Sequence, residues 1–446
     1  APAMSERLAN AEGLLREPTS TQPNSASRLE SWGVGGSYIG DGGFAGLSYV
    51  DTRSTYGVVA EPTAFISLQQ RRYDLRGRYD LDGGPLQSVR ASFGQADYTH
   101  TEFEDTGIPG TVFASDGWES RVDLMQRRRG GWTGVVGFQA LRRHFSAIGD
   151  EAYVPSSDIS ERGLYVVQRF DLDRLGFEGG LRFDQRSLEA TPLGTATLSS
   201  PTFDNWSASA SVSYRPIEGL FLGASLSRNA RAPSEVELFA DGLHIATAAY
   251  EQGDPTLDSE IATTLEATIH VYRGRLTGDL HVYASRYDGF IDARDTGGIW
   301  TVTEDGETET FPIFAYVQTG ADFRGFEAEL AYDLWTDGNR TLTLEGAADL
   351  VRAETDLGPA ARIPPSSLTG RVRYASGPVD AHLEVRRVGT QTDVADFELP
   401  TDGYTRFNVF GPWRPLGEDG ATLFAQVRNL SDTGARAHAS FLKDIA

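Results

Sequence analysis

The sequence contains no cysteine. Disulfides and thiolate-ligated zinc sites are therefore excluded. It also lacks any run of the roughly 18 apolar residues that would mark a transmembrane helix. The first stretch, Ala1 to Pro18, is polar and carries acids, so no secretory signal is visible. The chain reads as processed or cut from a longer precursor. Basic character is missing as well: 40 Lys and Arg stand against 63 Asp and Glu, a net charge of −23. General affinity for nucleic acid is excluded on that count, because phosphate binding needs a basic face. The acidity suits a solvated surface or a mouth that attracts cations. No phosphate-binding loop, no His-Glu-x-x-His and no serine elbow occurs, and the loop carboxylates follow no catalytic spacing. The chain is therefore not expected to be an enzyme.

What the sequence does have is alternation. Trp206, Ala208, Ala210, Val212 and Tyr214 interleave with Ser207, Ser209, Ser211, Ser213 and Arg215. Leu276, Gly278, Leu280, Val282 and Ala284 interleave with Thr277, Asp279, His281, Tyr283 and Ser285, and the stretches from Phe326 and from Thr341 repeat the rhythm. A period of two sends one set to each face of a strand. The polar sets are too large for a dry soluble core and fit a wet lumen inside a lipid-facing wall. Abundant glycine (49 residues) and aromatics (11%) agree with tight turns and aromatic girdles. Gly33-Val34-Gly35-Gly36 is read as glycine within a strand, not as a nucleotide-binding turn, because no helix follows it.

Connections of two lengths alternate as well. Short turns fall at Gly40–Gly43, Asp82–Pro85, Arg129–Gly131, Asp171–Arg174, Arg215–Gly219, Tyr272–Arg275, Thr336–Arg340, Ser376–Val379 and Arg414–Gly420. Longer links lie between them, near 54–64, 104–111, 147–159, 189–202, 230–259, 291–311, 356–365 and 391–401. Outer-membrane barrels have short periplasmic turns and long extracellular loops. The expected fold is thus all-β, a transmembrane antiparallel β-barrel of about 18 strands, each long enough for a tilted span. Residues 1–28 are expected as an extracellular segment with a candidate short helix from Met4 to Leu15, and 29–446 as an incomplete barrel. Because an open edge is not viable in lipid, the remaining strands are expected from segments outside this sequence or from partner chains.

Imidazole beside carboxylate is a reasonable environment for a first-row metal, and without thiolates it favours zinc, nickel or copper. In Ser88–Glu102 the apolar set is Val89, Ala91 and Phe93, so His100 and Glu102 have the opposite parity and point inward. His144 shares parity with Trp132, Val136 and Phe138 and points outward. His100, His144, His244 and His438 fall at outer ends or in outer loops, and His270, His281 and His382 nearer the periplasmic end.

Several longer segments carry a family resemblance. They are Arg231-Ala232-Pro233-Ser234-Glu235-Val236-Glu237-Leu238-Phe239, the stretch Gly253 to Glu260, and Gly320-Ala321-Asp322-Phe323-Arg324-Gly325-Phe326-Glu327-Ala328-Glu329. Val427-Arg428-Asn429-Leu430 followed by Ala437 to Leu442 completes the set. With these segments the chain resembles the TonB-dependent receptors over nearly its whole length. Tyr98-Thr99-His100-Thr101-Glu102 and Gly242-Leu243-His244-Ile245-Ala246-Thr247 are similar to segments of the zinc-uptake branch. The resemblance implies a barrel of about 22 strands filled by an N-terminal plug, which this sequence does not contain, together with three opening strands and a closing strand that are also absent. The loop Tyr56 to Phe65 has no histidine, where that branch often has a histidine- and acid-rich one.

The resemblance also implies a role. An integral barrel in the bacterial outer membrane, among lipid and lipopolysaccharide, would import a scarce solute. The TonB energy-transducing complex would act through the plug. Zinc is the first expected cargo, with His100, Glu102 and His244 as extracellular ligands, His438 as a weaker addition and no resident cofactor. A siderophore, cobalamin or oligosaccharide receptor of the same family, or a passive porin, is the alternative. Trp300, Phe311 and Tyr316 near one outer loop would suit an organic cargo.

Overall fold

The computed structural model describes residues 24–59, 63–103, 107–149, 152–244, 247–304, 307–417 and 420–440. The expected helix from Met4 to Leu15 lies outside them. Among the described residues there are 21 strands and a one-turn helix, Glu235–Phe239. No helix there is long and apolar enough to cross a membrane. The strands Asp241–His244, Ala249–Gln252 and Gly358–Pro359 lie in connections. The other 18 follow one another in chain order from Ser27–Gly40 to Leu423–Val427, each antiparallel to the next. No pairing among the described residues joins the first of these to the last.

The period-two rhythm becomes two surfaces. One row across five strands runs Val122, Phe138, Leu164, Phe183, Trp206 by register. Leu164 is 57% exposed and Trp206 60%, and Phe183 lies 4.9 Å from Trp206 ring to ring. One residue along each strand the row becomes Arg121, Gln139, Gly163, Asp184, Asn205. Apolar side chains so widely exposed on one face are inexplicable in water and natural against hydrocarbon. On the other face, arginine and aspartate two residues apart pair along single strands: Arg72–Asp74 at 2.9 Å, Arg121–Asp123 at 3.1 Å, Arg169–Asp171 at 3.0 Å and Arg182–Asp184 at 2.6 Å. Each such pair is worth only about 0–1 kcal/mol where water reaches it. Their effect is to keep the lumen face polar while the intervening residue faces out.

The segment 291–311, expected as a loop, is paired almost throughout. The strands Leu276–Glu304 and Glu307–Asp337 have 29 and 31 residues, against the roughly 9–11 of a tilted span. Their upper parts form a ribbon that rises above the wall, bent where the register shifts between Tyr287 and Phe290 and again between Asp295 and Ile299. Asp295-Thr296-Gly297-Gly298 has turn composition, but it is accommodated as the second irregularity, and Trp300 opposite Phe311 resumes the pairing.

The buried apolar core sits in the outer connections, not between layers of the wall. Ile159, Leu188, Phe203, Leu238, Phe239 and Leu257 form its body. Most come from the outer ends of strands and from the connection 232–259. At the start of the described chain, the Asn24 amide donates to Val58 O (3.0 Å) and Ala64 O (2.6 Å), fastening the first outer loop.

This two-faced wall makes a direct prediction. Val282 lies near mid-span on the outward face, opposite Ala267 and Phe326. Val282→Arg should cost about 2–4 kcal/mol of folding stability in vesicles, read from urea titration with heat-modifiable gel mobility. Ser211→Arg on the lumen face should cost far less; equal losses would contradict the assignment of faces.

Candidate functional site

The connection between the strands Leu220–Arg231 and Glu260–Arg273 is built to stay folded. Pro233 cannot donate to a ladder, so the strand stops there. Ser234 then caps the short helix: its Oγ accepts from Glu237 N (3.2 Å), and Glu237 Oε2 accepts from Ser234 N (2.7 Å). Arg231 bridges Glu237 at 2.8 Å and Glu260 at 3.2 Å, so one guanidinium ties the start of the connection to its end. Glu235 on the same turn meets Arg143 and Arg186 of neighbouring wall strands.

Past the helix, Asp241–His244 and Ala249–Gln252 pair as a hairpin. Tyr250, Glu251 and Gln252 then pair in parallel with Ile313, Phe314 and Ala315 of the tall ribbon. This seals Glu251, which is 1% exposed. Its carboxylate is fully served. His244 Nδ1–H donates to Oε1 at 2.9 Å, the Thr247 hydroxyl donates to the same oxygen at 3.0 Å, and the Tyr316 hydroxyl donates to Oε2 at 3.0 Å. Burial by itself would raise this carboxyl's pKa, but the His244, Thr247 and Tyr316 bonds outweigh it and hold it below its ordinary value.

With Nδ1 committed to Glu251, the His244 tautomer is set, and Nε2 is the nitrogen that keeps a lone pair. Tyr153 stacks on this ring at 4.2 Å and 12°. Burial, then the charges of Glu251, Glu102 and Glu235, push the Tyr153 phenol well above the ordinary tyrosine range. Tyr316 is raised in the same way, by burial and then by Glu251. Both remain neutral phenols in an acidic setting.

Tyr98, His100 and Glu102 share the inward face at the top of the strand Leu86–Phe103. His100 stacks on Phe113 at 4.6 Å, and its Nδ1 shares a hydrogen bond of 2.9 Å with the Tyr98 hydroxyl. Nε2 lies 3.7 Å from Glu102 Oε1. That is too long for a hydrogen bond and close to the roughly 3.4 Å between two ligands that share a tetrahedral ion.

The structure places the four expected residues unequally. His100 and Glu102 are neighbours, while His244 stacks on Tyr153 and pairs with Glu251. His438 is 2% exposed; its ring is 3.2 Å from Thr401 Oγ1 and 3.8 Å from Glu398 Oε1, fastening the end of the described chain to the outer loop before Tyr404. His100, Glu102 and His244 are not among those partners. His144 lies on the outer face, 3.4 Å from Asp158. Among the described residues, no three His, Asp or Glu side chains stand together as a ready-made metal cage.

Glu251, Thr247 and Tyr153 did not emerge from the sequence. A hairpin closing between 244 and 249 sets His244 opposite Ala249 and diagonal to Glu251. That diagonal was the one available signal.

The fold defines a large antiparallel β wall with ordered, partly buried outer connections. Residues 11–430 match the model of the family described as TonB dependent receptor-like, beta-barrel, and the chain belongs to that family. Similar solved structures include the copper transporter OprC, at 15% identity with a TM-score of 0.75; the match covers 93% of this chain and 68% of that one. The FrpB iron transporter from Neisseria meningitidis (F3-3 variant) is 14% identical, with coverages of 94% and 70% and a TM-score of 0.71. The Serratia marcescens hemophore receptor HasR, solved with its hemophore HasA and heme, is 16% identical, with coverages of 91% and 68% and a TM-score of 0.68. These relatives are receptors and transporters, not enzymes.

The Glu251 bonds predict a pH dependence. Since its folded pKa lies below the ordinary 4.5, its stabilisation of the hairpin is complete above that value and is lost as pH falls through the folded pKa. Hydrogen-exchange protection across Asp241–Gln252, corrected for the intrinsic pH dependence of amide exchange, should fall on acidification below about pH 4.5. In Glu251→Gln the exchange should be faster at neutral pH and lose that acid-dependent step.

Proposed function

We propose that the chain is the barrel of a TonB-energised receptor that imports a scarce solute, with zinc as the first cargo. The observation that carries this reading is the pair of half-sites at the outer mouth. His244 Nε2 is oriented by Glu251, and His100 Nε2 lies across a 3.7 Å gap from Glu102. Carboxylate-backed imidazole with a second imidazole and a free carboxylate is a nitrogen and oxygen donor set suited to a borderline divalent ion. Sulfur is missing from it. Among the described residues the one methionine, Met125, lies beside a short turn at the opposite end of the wall, and the sequence has no cysteine. Cuprous ion, which prefers thiolate and thioether, is therefore a poorer fit, although OprC is titled a copper transporter. Ligands at the top of the plug would complete the coordination, and TonB acting on the plug would release the ion into the lumen. Outer-membrane lipid and lipopolysaccharide would surround the wall.

A second reading has its own observation. Tyr250, Trp300 and Phe311 cluster on the outer ribbon, with ring centres 5.3 Å and 6.3 Å apart. Such a platform suits a flat organic chelate; FrpB is an iron transporter, and HasR was solved in complex with its hemophore and heme.

Zinc titration of the detergent-purified full receptor separates the two. His100→Ala and His244→Ala should each weaken zinc binding at least tenfold, and affinity should fall on acidification as protons compete for the ligands. Unchanged zinc affinity in the double variant, with ferric-chelate binding lost in Trp300→Ala, would establish the organic cargo instead.

A further inference from the structure

The pairing of His244 Nδ1 with a carboxylate recurs at two histidines that lie side by side on the inner half of the wall. His270 Nδ1–H donates to Asp279 Oδ1. His281 Nδ1 is 3.2 Å from Glu266 Oε1, which also accepts from the Thr268 hydroxyl at 3.1 Å. The strands Glu260–Arg273 and Leu276–Glu304 are joined by a two-residue turn, and His270 pairs with Asp279 while His281 pairs with Thr268. The two imidazoles are therefore diagonal neighbours on one face. That face is the lumen side: the intervening residues Ile269 and Val282 are exposed on the apolar side, at 39% and 46%.

We infer that His270 and His281 form a second cation-binding site, on the inner half of the lumen wall, that takes a borderline first-row divalent ion. Three features of the geometry support it. The ring centres are 5.3 Å apart at 68°, and two imidazoles on one tetrahedral ion, with each nitrogen at 2.0–2.1 Å, have centres about 5 Å apart. Each ring has its Nδ1 against a carboxylate, and that of His281 also lies 3.3 Å from the Thr268 hydroxyl, contacts that fix the ring orientation and leave Nε2 as the outward nitrogen. The surrounding wall is acidic, since Glu327 lies directly opposite His281 and Glu329 opposite Asp279. Arg215 is held 5.1 Å from the Phe221 ring, and Phe221 lies between it and His270, 5.2 Å from the imidazole.

Two protein nitrogens completed by water or by Glu327 make an open, exchangeable site. His270 borders a recess of ≈ 650 Å³ beside the short turns, where Asp173 and Glu218 balance Arg174 and Arg215, so the ion would have access to bulk water at the inner end. A station of this kind would accept an ion released from the outer mouth and give it up to the periplasm. The inference extends the import reading to the exit of the lumen, but its residues are distinct from those of the outer site.

The test uses Cu²⁺ as probe on the detergent-solubilised full receptor carrying His100→Ala and His244→Ala, so that the outer site is silent. Electron paramagnetic resonance at one equivalent should show superhyperfine coupling from two imidazole nitrogens. Adding His270→Ala or His281→Ala should reduce this to one and weaken Cu²⁺ binding at least tenfold. His382→Ala should change neither, because that lumen histidine lies four strands along the wall against Phe410. Heat-modifiable mobility would confirm that each variant is folded. Coupling that persists in both His270 and His281 variants, or that disappears in His382→Ala, would overturn the site. The outer-mouth reading would stand or fall separately, on zinc affinity in the receptor with intact His270 and His281.

Discussion

Hydrocarbon offers no hydrogen-bond partner to a peptide group, so every amide within the bilayer must be satisfied by another amide of the wall. This constraint shapes the molecule. It forces continuous antiparallel pairing from Ser27–Gly40 onward and leaves freedom only in which side chains face each way. The row from Val122 to Trp206 and its polar counterpart from Arg121 to Asn205, one residue away, are the two consequences of a single ladder. Any one-residue slip would bring arginine and aspartate to lipid and leucine and tryptophan to water.

That coupling is why the wall was legible in the sequence. Alternation, short turns and long links are local signals, and strand number and direction follow from them together. Connections such as Phe103 to Pro109 and Arg231 to Glu260 fall where turn chemistry places them. The tall ribbon was not legible, because Asp295-Thr296-Gly297-Gly298 reads as a loop. In the structure it is absorbed as an irregularity, since pairing on both sides of it, including Trp300 opposite Phe311, holds the two chains in register. Tertiary pairing overrides local composition there.

The outer site divides along the same line. His100 and Glu102 could be assigned a common inward face because parity along one strand is a local property. Glu251 could not be given its role, because that role depends on the parallel pairing of Tyr250–Gln252 with Ile313–Ala315, chain distant in sequence. The burial of His438 beside Thr401 is equally non-local. A histidine in an outer loop looks the same in sequence whether it is sealed or open.

The buried Glu251 links these two levels. A carboxylate 1% exposed would be costly unless every lone-pair direction were served. Here three donors come from two separate pieces of chain: His244 and Thr247 in the hairpin and its turn, and Tyr316 in the ribbon. Each donor that leaves would strand the charge for the others, so the carboxylate welds hairpin to ribbon and at the same time fixes which nitrogen His244 presents. Rigidity of these outer connections and orientation of the His244 ring therefore have one physical origin. The same carboxylate–imidazole unit recurs on the lumen wall at His270 and His281, where the strands are already fixed by the barrel and need no such weld. At that end the unit's remaining effect is on the imidazole itself, which is the physical ground for reading those two residues as ligands and not as fasteners.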